Sequence, residues 1–283
     1  PPLELLPASP SRYVTKSYEA FLWLRARQHA FDVVHFNEWR GGGYFTALAK
    51  RVGLAFAQTA IVTSVHCPTA LYLEGNQHFM KAFNQLASDA LERRQTELSD
   101  LVISPSAFLL RALEKSLGWQ LPPHTLVLQN ALPAAVLELE ATAGARGRQR
   151  VTVRELVYFA RLEVLKGLHE FLSALDLLAR DSDNLQPLSI TFLGHASLLP
   201  TSAETEKPSD ERPIDVRELV EKRRRRGRWP QSWTVTLLTE LQQLQALEYL
   251  RGNSGRLAVM PSLVENSPYT VRLPLNCSKL DCF

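Results

Sequence analysis

The chain has 283 residues, of which 45% are hydrophobic and 22% are charged, a composition typical of a globular protein. Its formal net charge is only +3, which argues against a nucleic-acid-binding protein with a strongly basic surface. The length favours two domains of roughly 150 residues each. No apolar run approaches the roughly 20 residues of a membrane span. The three cysteines (Cys67, Cys277 and Cys282) lack zinc-site spacing and favour a reducing, cytoplasmic location.

Short apolar runs recur along the chain and predict its β-strands. Most of the runs are continuously hydrophobic, which is the pattern of strands covered on both faces. Helical patterns separate them, and this alternation predicts an α/β fold with parallel sheets built from right-handed βαβ units. The predicted strands are 32–36, 60–65, 101–104, 126–128, 156–160, 189–193, 234–238 and 257–260.

Two helices carry clear apolar faces. In the segment 78–98, apolar residues recur near a period of about 3.6 and predict a buried face. Another helix is predicted directly after Gly167. The first face contains Phe79, Phe83, Leu86, Ala90 and Leu91, and the second contains Leu168, Phe171, Leu172, Leu175 and Leu178. Ser106 is suited to cap the helix that follows it.

The segment 138–154 is polar, contains glycines and lacks any strand pattern. These features predict a linker. We therefore expect an N-terminal domain over residues 1–137 and a C-terminal domain over residues 155–283, each with its own sheet.

Two polar clusters, widely separated in the sequence, each follow a predicted strand. Residues 161–167 follow the strand 156–160 and include Arg161 and Lys166, whereas residues 261–268 follow the strand 257–260 and include Glu265. In a parallel sheet, the carboxyl ends of the strands form the edge at which ligands bind. Two cations and one carboxylate at that edge suit a sugar that is carried on a diphosphate.

These clusters resemble the donor site of glycosyltransferase family 4, whose GT-B fold has two Rossmann-like domains facing a cleft. Residues 32–39 resemble the family's strand ending in His-x-x-x-Trp, and residues 63–66 its strand ending in a functional histidine. Residues 101–106 resemble its strand leading into a helix-capping serine, and residues 127–130 its interdomain Val-x-x-Asn. The resemblance extends over nearly all of the chain up to Val271, and the order and spacing of the motifs are specific to the superfamily, not to a substrate.

The resemblance implies a retaining, metal-independent glycosyltransferase that moves a hexosyl group from a nucleoside-diphosphate sugar to an acceptor hydroxyl. Arg161 and Lys166 would bind the donor phosphates, since a guanidinium fork and an ammonium group stabilise the charge that grows on the leaving diphosphate. His66 and Glu265 are the implied catalytic residues, with His66 near the transferred sugar. Glu265 and the loop residues Asn266, Ser267 and Pro268 would bind the donor sugar, and Gly194 would lie on the nucleotide side.

The acceptor side of the implied site is assigned more weakly, to His35, Asn37, Glu38 and Trp39. The donor would be a UDP-, GDP- or ADP-sugar, with no separate cofactor and no metal. The acceptor would be a glycan, a lipid or a small molecule, and peripheral membrane contact is compatible with the charge. Nucleic acid is not an expected partner.

The chain departs from the family pattern at three points. No glycine-rich loop of the family's kind precedes Tyr13, Leu273 stands where the family has a second glutamate, and Pro274 opposes the expected helix. These departures predict a fragment truncated at both ends. They leave open a non-catalytic remnant that binds a nucleotide or a partner weakly.

Several motifs have competing interpretations. The run Gly41-Gly42-Gly43 imitates a phosphate loop but lacks its spacing, which favours a tight turn with close packing. Asp181-Ser182-Asp183 imitates a metal-binding D-x-D motif but is expected in an exposed loop. The basic block 222–228 would suit a polyanion, although a solvated helix face is the simpler interpretation. A GT-B epimerase or phosphorylase is a further alternative. The sequence lacks the cofactor-lysine pattern of a phosphorylase.

Overall fold

The computed structural model describes residues 11–131, 152–180, 187–196 and 215–264. The chain divides into two compact units, Pro1–Ala131 and Leu132–Phe283, and each contains one four-stranded parallel sheet. Most of the predicted linker 138–154 lies outside the described residues, as do Glu265, Asn266, Ser267 and Pro268. Within the described ranges, no helix is long and apolar enough to cross a bilayer.

The first unit is a sheet with the strand order β1-β2-β3-β4. Its strands are β1 (Val33–Asn37), β2 (Ala60–Ser64), β3 (Leu101–Ser104) and β4 (Thr125–Val127). Its helices are α1 (Arg12–Arg25), α2 (Tyr44–Arg51), α3 (Thr69–Gly75), α4 (Phe83–Leu98) and α5 (Ala107–Lys115). Helices α1, α2 and α4 contact one another, and a buried apolar cluster from α1, α2 and the strands includes Phe21, Ala47 and Ile61. The predicted cap is confirmed, because the Ser106 hydroxyl accepts a hydrogen bond from the Leu109 amide at 3.2 Å.

Helix α4 buries a mainly polar face, so the predicted apolar face is wrong except at Leu91. Phe79 precedes the helix and is 82% exposed, and Phe83 and Leu86 are more than half exposed. The buried residues are Ser88, Leu91, Glu92, Gln95 and Thr96. The reason is hydrogen bonding: loop amides of the first unit need acceptors, and a buried amide without one costs about 1–3 kcal/mol. That demand outweighs the burial of two or three apolar side chains.

The second unit is a sheet with the strand order β7-β6-β5-β8. Its strands are β5 (Glu155–Phe159), β6 (Ser189–Leu193), β7 (Thr234–Leu238) and β8 (Arg256–Val259). Its helices are α6 (Leu168–Arg180), α7 (Val216–Arg226) and α8 (Gln243–Arg251). The core of this unit packs α6 and α7 against the sheet through Phe171, Phe192 and Trp233. The apolar face of α6 is confirmed except at its end, where Ala179 is buried and Leu178 is 37% exposed.

The eight predicted strands are all present, with bounds within one residue of the prediction. In the second sheet, the chain passes from β5 to β6 and β7 on one side and returns to β8 on the other side of β5. The direction in which the chain adds strands to the sheet therefore reverses between β5 and β8. The carboxyl ends of the two strands at such a switch point are where open α/β sheets bind ligands.

Candidate functional site

The loops that follow β5 and β8 meet at the carboxyl edge of the second sheet. Gly167 adopts a left-handed conformation with φ of +73°, and a Cβ added there would lie 1.8 Å from the carbonyl oxygen of Pro261. The amide of Leu263 donates a hydrogen bond to the carbonyl of Leu165 at 3.0 Å. Two clusters that are distant in the sequence are thus in direct contact at the switch point of the sheet.

Tyr158 fixes both ends of the loop after β5. Its side chain is fully buried, and its hydroxyl lies 3.0 Å from the carbonyl oxygen of Arg161 and 2.9 Å from that of Lys166. Burial raises the pKa of the phenol, so the hydroxyl remains a donor throughout the physiological range. Sequence analysis missed this residue because it sits inside an apolar strand. The one available signal was a tyrosine three positions before the polar cluster that begins at Arg161.

The guanidinium of Arg161 is oriented by a carboxylate of its own loop. Its Nη1 lies 3.0 Å from Oε1 of Glu163, whose side chain is only 4% exposed, whereas the Arg161 side chain is 49% exposed. A partly exposed pair of this kind contributes little stability. Its effect is to hold one cation in a fixed direction at the sheet edge, in the same loop as the half-buried Lys166.

A third loop, which follows β6, completes this edge. A Cβ added to Gly194 would lie 1.9 Å from the carbonyl oxygen of Ala160, so the two backbones pass too closely for a larger residue. The Leu162 amide also donates to the carbonyl of His195 at 2.9 Å. Helix α6 begins directly after the first loop, and the amides of its first turn add a partial positive charge to the edge. Cations and helix amides together suit a phosphate-bearing ligand.

Replacing Tyr158 with phenylalanine tests whether this hydroxyl organises the edge. We expect the free energy of unfolding to fall by about 1–2 kcal/mol, because two carbonyls lose their donor, and we expect phosphate-bearing ligands to bind more weakly. Urea denaturation and calorimetric titration would measure the two effects.

Tyr249→Phe is the matched control, since its hydroxyl donates to Glu155 at the opposite edge of the sheet. It should lower stability to a comparable extent and leave ligand affinity unchanged. Equal losses of affinity in the two variants would contradict the role of Tyr158.

In the first unit, Glu38 holds the loop that carries His66. Glu38 is 1% exposed, and its Oε1 accepts hydrogen bonds from the amides of His66 at 2.8 Å and Cys67 at 2.7 Å. Its Oε2 lies 3.3 Å from Nδ1 of His66. Glu38 was predicted to bind the acceptor. Its carboxylate instead lies beneath the His66 loop and accepts hydrogen bonds from that loop.

Glu38 also tunes the imidazole of His66. The hydrogen bond from the ring to Glu38 raises the pKa of His66 above its ordinary value, against the opposing effect of burial. The same contact favours the tautomer with its proton on Nδ1 when the ring is neutral. Because the His66 side chain is 53% exposed, the ring is held in one direction and still reaches solvent.

Glu92 of α4 is a second buried carboxylate that sequence analysis missed. It is fully buried and accepts hydrogen bonds from the Arg40 amide at 2.9 Å, and from the amide and hydroxyl of Thr69 at 2.7 Å each. Burial raises its pKa to about 7. Glu92 thus joins the loops after β1 and β2 from below. In the sequence it was indistinguishable from the solvent-facing acidic residues of a helix.

The glycine run 41–43 packs closely, as the tight-turn interpretation predicted. A Cβ on Gly41 would lie 2.2 Å from Cβ of Leu91, and a Cβ on Gly43 would lie 2.5 Å from the ring of Phe36. The Gly43 amide donates to Oε1 of Gln95 at 2.6 Å. The amides of Arg40 and Gly43 are therefore engaged by α4 side chains and do not form a phosphate loop.

Comparison with known proteins identifies this architecture. The family model described as Glycosyltransferase Family 4 matches residues 1–132. The match covers just under half of the chain, and over those residues the chain is similar to this family. No curated protein sequence matches the chain significantly.

Solved glycosyltransferase structures share the fold across both units. An alpha,alpha-trehalose 6-phosphate synthase from Burkholderia multivorans is 14% identical, with a TM-score of 0.53 over 93% of this chain and 59% of that chain. A sucrose-phosphate synthase from Thermosynechococcus elongatus is 13% identical, with a TM-score of 0.54 over 95% and 60%. The chain thus spans about three fifths of these structures. The predicted GT-B class, with two parallel sheets, is confirmed.

The other residues predicted for the acceptor side lie on β1 and in the loop after it. His35 is exposed on the face of β1, where its Nε2 is 2.7 Å from the Ser64 hydroxyl, and Asn37 is exposed on the same face. Trp39 follows the strand and is 47% exposed, beside the Arg40 guanidinium. Only Trp39, Glu38 and His66 therefore belong to the loops at the carboxyl edge of this sheet.

The part of the chain that the structure describes contains no group of three or more His, Cys, Asp or Glu residues suited to a metal ion. The D-x-D-like segment 181–183 lies outside it, as does the Glu265 cluster. The assignments of Arg161, Lys166, Gly194 and His66 to particular ligand groups remain predictions.

Proposed function

We propose that this glycosyltransferase-fold protein transfers a hexosyl group from a nucleoside-diphosphate sugar to an acceptor hydroxyl, with retention of configuration and without a metal. The observation that carries the proposal is the contact between the loop with Arg161 and Lys166 and the loop with Pro261 and Leu263, at the switch point of the second sheet. A diphosphate in that position would face two cations and the start of α6.

Each residue would have a defined part in the reaction. Negative charge grows on the diphosphate as the glycosidic bond breaks, and the fixed cations Arg161 and Lys166 would stabilise it. Glu265 would bind hydroxyls of the donor sugar. His66, held by Glu38, would bind the transferred sugar. The departing phosphate would accept the acceptor proton, which explains why no separate carboxylate base is required. We also propose a cytoplasmic location, because the chain has only three cysteines.

Calorimetric titration of UDP, GDP and ADP tests the donor site. One of the three nucleotides should bind most tightly, and Arg161→Ala/Lys166→Ala should weaken its binding at least about 100-fold, because two charge-assisted hydrogen bonds of about 1.5–3 kcal/mol each are lost. The matched control is Lys222→Ala/Arg225→Ala, which removes one lysine and one arginine from α7. The control should bind as the wild type does. A folded wild-type chain that binds none of the three nucleotides would overturn the proposal.

A non-catalytic nucleotide-binding protein is the second candidate. Leu273 favours it, because the family places a glutamate that holds the donor ribose at the corresponding position. Nucleotide binding without release of the nucleoside diphosphate from any donor sugar, in the presence of mixed acceptors, would support this candidate. Turnover that is lost in the Arg161→Ala/Lys166→Ala variant would support the transferase.

A further inference from the structure

A second basic cavity lies in the C-terminal unit, apart from the loops described above. Its volume is about 680 Å³, within the range of small-molecule sites. Helix α6 contributes Asp176 and Arg180, helix α7 contributes Arg223 and Arg226, and the turn after α7 contributes Gly227 and Arg228. Four arginines against one carboxylate give this lining a net formal charge of +3.

The topology of the sheet separates this cavity from the candidate donor site. Helix α6 leaves the carboxyl end of β5 and runs back along the sheet, and α7 likewise ends shortly before β7 begins. Arg180 and Arg226 are the last residues of these two helices. In parallel βαβ units the helix ends lie near the amino ends of the strands that follow. The cavity is therefore at the opposite edge of the sheet from Arg161 and Lys166.

The wall of the cavity is built by specific contacts of Asp176. One carboxylate oxygen lies 2.9 Å from Nη1 of Arg223, and the other accepts a hydrogen bond from Nε1 of the buried Trp229 at 2.6 Å. A Cβ on Gly227 would lie 2.1 Å from Oδ1 of Asp176, so a larger residue there would displace this carboxylate. Arg223 therefore neutralises Asp176, and the net positive charge resides on the other arginines.

The other three arginines, Arg180, Arg226 and Arg228, line the same cavity. Within the described ranges, Arg180, Arg226 and Arg228 have no carboxylate partner, and all three are exposed. A helix C-terminus favours a basic residue, which accounts for an arginine at the end of each helix. It does not account for Arg228, which lies outside both helices in a left-handed conformation with φ of +50°. Three like charges around one cavity repel each other unless an anion lies between them.

We propose that this cavity binds a small ligand that carries two or more phosphate groups, at a site separate from the candidate donor site. Guanidinium groups present planar pairs of donors that match phosphate oxygens, and they keep their charge at every physiological pH. The volume of about 680 Å³ is that of a small-molecule site, which favours a small ligand over an extended polyanion.

Calorimetric titration of inorganic pyrophosphate into the Arg161→Ala/Lys166→Ala variant tests the proposal without interference from the candidate donor site. Pyrophosphate should still bind this variant. Adding Arg226→Ala/Arg228→Ala should weaken that binding by about tenfold or more, because two charge-assisted contacts are lost. Adding Arg224→Ala/Arg225→Ala instead removes the same charge from residues outside the cavity lining and should change the affinity less than about twofold.

Two outcomes would overturn the proposal, provided that thermal melting shows each variant to be folded. The first is the absence of pyrophosphate binding. The second is an equal loss of binding in the two arginine pairs, which would indicate a diffuse basic surface. In that case a single-stranded RNA oligonucleotide should bind more tightly than pyrophosphate, with a steep dependence on salt. Neither outcome bears on nucleotide binding by the wild-type donor loops, so this proposal and the proposed transferase function fail independently.

Discussion

Gly167→Ala is expected to lower the free energy of unfolding by at least about 3 kcal/mol and to abolish nucleotide binding. A left-handed backbone costs an alanine about 1–2 kcal/mol. The added Cβ would also lie 1.8 Å from the carbonyl oxygen of Pro261 and 2.6 Å from its carbonyl carbon. Both atoms belong to the backbone, so no side chain can rotate away and one of the two loops must move. Urea denaturation and titration with the preferred nucleotide would measure both effects.

Gly53→Ala is the matched control for this prediction. Gly53 has φ of +74°, nearly the same as Gly167, but an added Cβ would have no atom within 4 Å. Its substitution should therefore cost only the conformational term of about 1–2 kcal/mol and leave nucleotide binding intact. If the two variants were equally stable, the contact between the loops after β5 and β8 would be looser than the structure indicates.

Glu92 should make the protein less stable as the pH rises from about 4.5 to 7. Its pKa is raised from 4.5 to about 7 in the folded state, mainly by burial. The folded state therefore binds more protons than the unfolded state in this window, and stability falls with increasing pH. The stability that the protonated Glu92 contributes is fully present below pH 4.5 and is lost above pH 7. A pKa shift of this size corresponds to about 3 kcal/mol of unfolding free energy. Urea denaturation of wild type and Glu92→Gln at several pH values would measure it as the difference between the two proteins.

Glu97→Gln on the same helix provides the control with the opposite sign. Burial tends to raise the pKa of Glu97, but hydrogen bonds from Arg93, from the Gln120 amide and from Arg94 together lower it below its usual value. Its stabilising contribution is present above pH 4.5 and is lost only as the pH falls further. The difference between wild type and Glu97→Gln should thus be flat from pH 5 to 7. A flat difference for Glu92→Gln as well would mean that Glu92 is ionised throughout.

The sequence alone determined the strands, the fold class and the positions of the two polar clusters that follow β5 and β8. The strands are apolar runs that end abruptly where polar loops begin, so 101–104, 189–193 and 234–238 were predicted with their observed bounds. Burial on both faces was not predicted correctly for 234–238, which exposes alternate residues. Arg161 and Lys166 were recognisable because their loop follows such a strand directly. A parallel sheet requires this local order, and local order is visible in a linear sequence.

The tertiary structure alone decided which polar residues are buried and which distant segments touch. Glu38 and Glu92 resemble surface carboxylates in the sequence, yet both are buried, because amides of Arg40, His66, Cys67 and Thr69 need acceptors there. That need arises only once the loops have come together. The close passage of Gly167 and Pro261 likewise depends on β5 and β8 being neighbours. Periodicity reports the burial of apolar surface, whereas the pairing of buried donors and acceptors is settled only by three-dimensional packing.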